Sequence, residues 1–514
     1  MNGGLQQFFR NIARLPRTFA ASAVRHGHPT SMRARSQAVF SNVFLHLHPT
    51  RVHRRTLRFS TTMGLGIVSL AAFILLCATG VLLMVYYKPS VDLAYDSIKD
   101  IHYAVPVGRF VRNIHRWAAH LMVAVVFLHM ARVFFAGAYK SGREFNWVIG
   151  MGLFVLTLGL SFTGYLLPWD QLGYWAITVG SNIAASPREL TDALGVTQWF
   201  DPGGFQKELL LGSREVGQDA LIRFYVLHVA VLPILLILLL AVHFWRVRKD
   251  GGLARPGEAR TAAGEGAQAA DIPAARAEEE PHKTYGLMCV VADHQPAVNL
   301  DPSDTVSSWP FLLRAEILLF MATMFVCVVL GVAFDAPLET LANPAIPENP
   351  AKAPWYFLGL QELVSYSAFM GGLAIPAITV LGLGLVPYLD RSEEDTGLWC
   401  AGRRGQRLAL YSAIFGAVFA ILAVAVPVSF GWVRSWFPQV NQLVIIFVNP
   451  GTLLTLAYAV WSLGVLKVTR STRMGAIALF TCFLVGFVIL TYVGTELRGP
   501  NWDFYWSRSE WPTH

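Results

Sequence analysis

Four histidines on two apolar segments have the spacing of ligands for two stacked cofactors. His115 and His129 lie 14 residues apart, and His228 and His243 lie 15 residues apart. At about 100° per residue each pair falls near one stripe of a helix, about 21 Å apart along its axis. If the helices face each other, His115 meets His228 and His129 meets His243. Two bis-imidazole sites across a membrane are what two b-type haems require. The alternative is four ordinary interior histidines.

The composition is that of a polytopic membrane protein. Of the 514 residues, 54% are hydrophobic and 14% are charged, whereas soluble domains have about 25% charged residues. The net charge of +8 is concentrated in the N-terminal arm and the short loops, where it sets membrane orientation, so no nucleic-acid partner is expected. The five cysteines form no CxxC or CxxCH motif, which argues against a disulfide framework, a cysteine metal site and a covalently attached haem.

The sequence predicts an all-α fold, with a four-helix dihaem bundle followed by about five further membrane helices. The basic loops put the N-terminus on the cytoplasmic side. Residues 1–60 are expected to form a basic arm, either amphipathic on that surface or disordered. The predicted spans, each long enough for a hydrocarbon layer of about 30 Å, are 62–87, 112–138, 147–168, 221–247, 309–334, 368–388, 407–430, 440–466 and 474–495.

Residues 250–305 interrupt the apolar pattern and are rich in Ala, Gly, Pro and Glu. This composition predicts a flexible linker between a dihaem domain at 61–249 and a second domain at 306–390. A folded partner-docking insert in its later part is the alternative. Residues 391–514 are predicted to add further helices and a tail on the outer face.

Two helices carry glycines at the same interval as the histidines. Gly66 and Gly80 are 14 residues apart, as are Gly150 and Gly164. Because glycine permits close approach of a flat group, we expect haem edges to rest on these positions. Packing of small residues between helices is the alternative.

Three arginines flank the histidines of the first pair. Arg116 follows His115 directly, and Arg112 and Arg132 lie near the two ends of the same segment. A guanidinium binds a carboxylate through two hydrogen bonds, which favours contacts with haem propionates. Arginines near a helix end also extend to the interface without any ligand.

Two aromatic, proline-rich loops are expected on the outer face. The first, TGYLLPWDQLGYWA, contains Pro168, Trp169 and Asp170, and the second, NPAIPENPAKAPWYFLGLQELVSY, contains Pro354. Together they predict an apolar pocket for a flat ligand beside the His115–His228 level. Each alone is also compatible with an interfacial aromatic belt.

In these motifs, and in ATGVLLMVYYKPSV, VRNIHRWAAHLMV and RFYVLHVAVLP, the chain resembles the cytochrome b family of bc1 and b6f quinol-oxidising complexes. The resemblance runs from about Phe59 to Lys249 and from about Trp309 to Pro387. It implies two non-covalent b haems, an outer one on the first histidine of each pair and an inner one on the second.

The chain departs from the family at two chemically important positions. Gly64 stands where b6f-type proteins attach an extra haem to cysteine, so no covalent haem is expected. Pro354 stands where the family motif Pro-Glu-Trp-Tyr has its glutamate, with Trp355 and Tyr356 following. Glu362 is our candidate for the missing proton acceptor. The alternative is a structural Glu362, with another group or water taking the proton.

The resemblance implies a quinol–cytochrome c reductase-type subunit that couples quinol oxidation at the outer face to proton translocation. The expected partners are a Rieske iron–sulfur protein and a c-type cytochrome, around a homodimeric core in a bacterial inner membrane. Quinone reduction is expected at the inner face, where Arg248 matches a family position. One rival is a dihaem membrane anchor of a dehydrogenase or hydrogenase without electron bifurcation, and a second is a non-redox transporter or scaffold that has lost its haems.

Overall fold

Nine helices in the part of the chain that the structure describes are long and apolar enough to cross a membrane. The computed structural model describes residues 13–14, 16–17, 30–42, 47–249, 252–253, 305–391 and 395–512. Each predicted span corresponds to one of these helices, and the fold class is confirmed as all-α and polytopic. The protein is therefore an integral membrane protein.

The helices and strands are numbered here in chain order. They are α1 Met32–Ser41, β1 Arg51–His53, α2 Phe59–Thr62, α3 Leu65–Tyr86, α4 Ala94–Tyr103, α5 Gly108–Phe135, α6 Glu144–Leu166, α7 Gln171–Ala185, α8 Pro187–Ala193, α9 Pro202–Leu211, α10 Gln218–Lys249, β2 Thr305–Ser307, α11 Ser308–Ala333, α12 Trp355–Tyr366, α13 Ala368–Leu389, α14 Arg403–Phe430, α15 Val433–Trp436, α16 Gln442–Phe447, α17 Pro450–Thr469 and α18 Thr472–Leu497. Short 3₁₀ turns cover Arg54–Leu57, Trp399–Ala401, Pro500–Trp502 and Arg508–Glu510.

The chain divides into two compact units, one of residues 1–63 with 299–318 and one of residues 64–298 with 319–514. In the first unit β1 pairs antiparallel with β2, with Val52 opposite Val306. His48 Nε2 lies 3.1 Å from the Glu316 carboxylate within the same unit. The predicted linker and docking insert fall almost wholly outside the described residues, and the predicted domain boundaries stay predictions.

The second unit contains the bundle of α3, α5, α6 and α10. Helix α3 packs along α5, and α6 packs along α10. Phe73, Met122 and Leu236 meet in a buried apolar cluster in its middle. Many large apolar side chains on the spans point outward, Val85 and Leu238 among them, as helices that face lipid require.

Helix α10 changes its winding where it carries its first histidine. Residues Leu227–Val231 form a π-helical turn around His228. Pro233, two residues further on, has no N–H to donate to the carbonyl of Val229, so the regular hydrogen-bond ladder is broken there. Such π-turns are frequent at functional sites.

The C-terminal half packs around the last helix. Helix α18 packs against α12, α14 and α17. Gly416 of α14 allows close contact, because a Cβ built there would lie 2.9 Å from the Cα of Cys482. Small residues at such crossings are the usual means by which membrane helices associate.

Candidate functional site

The structure brings the four histidines together in the two predicted pairs. The rings of His115 and His228 have centroids 6.3 Å apart and planes inclined by 76°. His129 and His243 lie close enough to interact electrostatically. The two levels are carried by α5 on one side and α10 on the other, as their spacing predicts.

Threonine hydroxyls orient both histidines of the His115–His228 pair. Thr79 Oγ1 lies 2.8 Å from His115 Nδ1 and donates to the carbonyl four residues earlier, at 2.7 Å. Thr163 Oγ1 lies 3.1 Å from His228 Nδ1 and donates to the carbonyl of Gly159 at 2.9 Å. Since each hydroxyl proton is directed to a carbonyl, each threonine oxygen accepts the Nδ1–H of its histidine. The Nε2 lone pairs of both rings are thereby left for a ligand.

Each of the four repeated glycines faces the Cε1 atom of one histidine. From a Cβ built on the glycine, the distances to that atom are 3.6 Å for Gly66 and His129, 3.3 Å for Gly80 and His115, 3.7 Å for Gly150 and His243, and 2.5 Å for Gly164 and His228. The glycines thus provide the room in which the imidazoles lie. The sequence predicted that haem edges rest on these glycines, whereas in the structure the groups nearest to them are the imidazole rings.

The donor set suits a cofactor that brings most of its own ligands. Among the described residues, no group of three or more His, Cys, Asp or Glu is arranged to hold a bare metal ion. Each site instead offers two imidazoles between apolar helices. A porphyrin supplies four nitrogens of its own and needs only such a pair, so the residues present fit a b-type haem.

The predicted arginines have different surroundings. Arg112 is buried and donates to the carbonyls of Ala336 at 2.8 Å and Pro337 at 2.5 Å, so it holds the loop after α11. Arg116 has no hydrogen bond or ion pair within the described part of the chain. Arg132 is buried one turn beyond His129. Arg116 is therefore the arginine whose guanidinium is best placed for an added carboxylate.

Both the backbone conformation and the packing at position 64 require a glycine. Its φ is +63°, and a Cβ built there would lie 2.4 Å from Leu319 Cδ1. A side chain at this position would be strained and would displace Leu319. The expectation that no haem is attached here stays a prediction.

Asp170 joins the two aromatic loops. One carboxylate oxygen accepts the Gly173 N–H at 2.9 Å and so caps α7, and the other accepts the Glu339 N–H at 3.1 Å. The neighbouring Gln171 binds Thr340 and Ile346 of the second loop through its backbone and side chain. Burial raises the pKa of Asp170, although these hydrogen bonds oppose the rise. The geometry favours a positioning role over proton transfer.

The APWYF motif, residues 353–357, meets the bundle along α5 and α6. Trp355 Nε1 donates to His120 Nδ1 at 3.0 Å, and the rings of Tyr356 and His120 have centroids 6.1 Å apart. The Tyr356 hydroxyl bonds Ser161 of α6, and burial raises its pKa.

The predicted quinone residues occupy different positions within this region. Pro354 is the residue that precedes α12. Trp169 is buried in the apolar cluster under the first loop, whereas Pro168 is only partly buried. A quinone pocket between the two loops stays a prediction.

Glu362 is fully enclosed and already bound. Its carboxylate receives Arg498 Nε at 2.9 Å and Arg498 Nη2 at 2.5 Å. Trp502 Nε1 donates at 2.9 Å and the Tyr366 hydroxyl at 3.2 Å. Four hydrogen bonds leave little capacity for a further proton donor. This arrangement favours the structural alternative, in which Glu362 anchors the segment after α18 beneath α12.

A second buried ionic cluster lies at the opposite end of the bundle. Asp390 is 2.9 Å from Lys140 Nζ and accepts the Tyr139 hydroxyl at 2.6 Å. Arg473, fully buried, donates to Tyr139 and to the carbonyls that end α5. A cavity of about 450 Å³ borders Lys140 and Asp390. Arg248 lies partly exposed in the last turn of α10.

Sequence reasoning missed the residues that support the predicted site. Thr79 and Thr163 each precede a repeated glycine, so the paired Thr-Gly dipeptides were a visible signal. His120 lies five residues after His115 and outside the 14-residue repeat, which left it unassigned. The contacts of Ser161 and Arg498 join distant segments and have no local signal.

The comparisons with known proteins cover mainly the first half. A family model described as Cytochrome b/b6/petB matches residues 54–251. A cytochrome b6 of Heliobacterium mobile is 41% identical over 204 residues, which cover 40% of this chain and 88% of that protein. A cytochrome b6 of Prochlorococcus marinus (strain MIT 9303) is 42% identical over 187 residues, covering 36% and 80%.

One solved structure extends the likeness of fold into the second half. A chain of a hyperthermophilic respiratory Complex III aligns with a TM-score of 0.54 at 24% identity, covering 83% of this chain and 91% of that chain. At this identity the match bears on the fold alone. It shows that helices beyond residue 251 also have a counterpart among known structures.

Proposed function

The chain belongs to the cytochrome b/b6 family, and on that premise we propose that it is the dihaem cytochrome b subunit of a quinol-oxidising bc-type complex. The observation that carries the proposal is the matched set of two histidine pairs, each ring facing a glycine. A single buried histidine has many structural explanations, but this repeated arrangement fits two flat cofactors at two levels.

In this proposal His115 and His228 hold the outer haem, and His129 and His243 hold the inner one. A haem held by either pair would supply a one-electron carrier at that level. The threonine hydroxyls fix the ring tautomers of the outer pair and strengthen the outer imidazoles as donors. Arg116 neutralises a propionate beside the outer pair.

Quinol binds in this proposal between the PWDQ loop and the start of α12. Tyr356 and Trp355 contribute the polar groups of an otherwise apolar pocket. Asp170 and Gln171 hold the two loops together through the hydrogen bonds described above. Quinone reduction takes place at the opposite end, where Arg248 and the cavity beside Lys140 provide cationic groups.

The remaining assignments follow from the family and from the charge pattern. The N-terminus lies on the cytoplasmic side of a bacterial inner membrane, and the APWYF end faces outward. A Rieske iron–sulfur protein and a c-type cytochrome take the electrons that leave at the outer face. The complex has a homodimeric core, and its activity is that of a quinol–cytochrome c reductase coupled to proton translocation.

The test is a redox titration of the purified protein followed by its b-type absorbance. We expect two one-electron steps of equal amplitude, reducible by quinol. His228→Ala should remove one step and His243→Ala the other, whereas His53→Asn, in strand β1, should retain both. A protein without b-type absorbance, or with one step that both substitutions abolish, would refute the dihaem assignment. Haem reduction by quinol without reduction of cytochrome c by the intact complex would favour the anchor function.

A further inference from the structure

The outer pocket needs a base that the family motif does not supply. Pro354 occupies the position of the motif glutamate. The two buried carboxylates of this region are already bound, Asp170 by two backbone N–H groups and Glu362 by Arg498, Trp502 and Tyr366. A proton leaving quinol must therefore go to another side chain or directly to water.

We infer that His120 is the side chain that accepts a proton from quinol in this chain, an inference that rests on the proposed function. His120 lies on α5 at the level where α12 begins. Its Nδ1 atom is 3.0 Å from the indole nitrogen of Trp355. Its ring stands 6.1 Å from that of Tyr356, the second aromatic residue of the APWYF motif.

The hydrogen bond from Trp355 identifies which nitrogen is basic. An indole N–H can only donate, so Nδ1 of His120 carries the lone pair and Nε2 carries the proton. Trp355 is 37% exposed and is the residue that covers Nδ1. A quinol hydroxyl that replaces the indole donates to the same lone pair, at the mouth of the pocket.

The surroundings of His120 suit transient protonation. The charged and titratable groups that face it are Arg116, one turn earlier on α5, and Tyr356 on α12. Trp117 and Trp355 provide aromatic surfaces beside the ring. The Arg116 charge opposes lasting accumulation of an imidazolium, so a proton taken up at Nδ1 is released again to the outer aqueous face.

Quinol loses two protons and two electrons when it is oxidised to quinone. One O–H bond of the quinol breaks and a bond between that proton and Nδ1 of His120 forms. The two electrons of the quinol would leave to two one-electron acceptors, which in the proposed function are a b-type haem and a centre of the iron–sulfur class. The second hydroxyl proton leaves to water at the outer face, and the His120 proton follows it. The products are one quinone, two reduced one-electron acceptors and two protons.

The experiment compares His120→Gln with His120→Glu in the complete complex, with quinol and cytochrome c as substrates. His120→Gln should lower turnover about 100-fold and abolish the rise of the rate with pH that accompanies deprotonation of the base. His120→Glu should restore much of the turnover, with that rise moved to lower pH, because a carboxylic acid is a stronger acid than imidazolium. His102→Gln, a histidine on α4 at the same end of the molecule, is the matched control and should behave like the wild type.

Two readouts separate this inference from its alternatives. The b-type difference spectrum and the two redox steps should be unchanged in both variants; loss of haem in both would assign His120 a structural role and refute the inference. Near-normal turnover of His120→Gln with an unshifted pH profile would also refute it, while the proposed function stands. A wild-type complex that does not oxidise quinol would refute both.

Discussion

The four glycines that face the histidines differ in how much room they leave, and this difference predicts unequal effects of alanine. At Gly164 an added Cβ would lie 2.5 Å from Cε1 and 3.0 Å from Nε2 of His228, closer than real Cβ atoms approach. The imidazole would have to move by roughly 1 Å, away from its hydrogen bond to Thr163. At Gly150 the Cβ would lie 3.7 Å from His243, an ordinary contact.

The size of the effect follows from packing energies. Forcing an extra methyl group into a packed site costs about 1–3 kcal/mol, and alanine in a helix returns about 1 kcal/mol relative to glycine. A net cost of up to about 2 kcal/mol corresponds to up to roughly 30-fold weaker haem binding at the outer site. Gly150→Ala lacks the steric cost and should retain both haems.

The assay is haem content per polypeptide together with a redox titration that resolves the two steps. Gly164→Ala should lose the step that His228→Ala removes and keep the other. Gly80→Ala, with a contact of 3.3 Å, should fall between Gly164→Ala and Gly66→Ala, whose contact is 3.6 Å. Equal haem loss in Gly164→Ala and Gly150→Ala, or full occupancy in Gly164→Ala, would show that the glycines do not control the ring positions.

Three further predictions concern the supporting contacts. Thr79→Val and Thr163→Val remove the acceptor from an imidazole N–H, so the outer midpoint potential should rise by up to about 40 mV, equivalent to about 1 kcal/mol for one electron; an unchanged outer step in the titration would contradict this. Glu362→Gln leaves a buried cation without its partner, which should cost about 3–5 kcal/mol and expose the segment after α18 to protease; loss of turnover without such cleavage would instead favour a role in proton transfer. Arg473→Met leaves Asp390 with fewer cations and should lower the thermal stability, and adding Asp390→Asn should recover part of the loss, unless the two residues act independently.

The helical framework and the pairing of the four histidines were accessible from the sequence because both depend on periodicity. A span of apolar residues specifies a membrane helix whatever its neighbours are, and the 14-residue interval places His115 and His129 on one stripe of α5. The repeated glycines belong to the same periodic signal. Their contacts in the structure are with the imidazole rings, a detail that depends on how the helices are rotated.

The pocket residues could be predicted only by type. The sequence identified Asp170 and Glu362 as carboxylates in suitable loops, but their hydrogen-bond partners Glu339 and Arg498 come from distant segments. Whether a carboxylate is available for protons depends on those partners and not on its own surroundings in the chain. His120 could not be identified for the same reason, because its contacts with Trp355 and Tyr356 come from α12, a distant segment of the chain.

The ion pair of Glu362 and Arg498 also has a consequence for the biosynthesis of the protein. The two residues are separated by 136 positions, so Glu362 is synthesised well before Arg498. Until α18 has been inserted, α12 carries a charge that has no buried partner, which is unfavourable away from water. The buried ion pair can therefore form only late in synthesis, and a chain that stops before Arg498 leaves Glu362 without its cation. The segment that follows the last membrane helix thus decides whether α12 can bury its carboxylate.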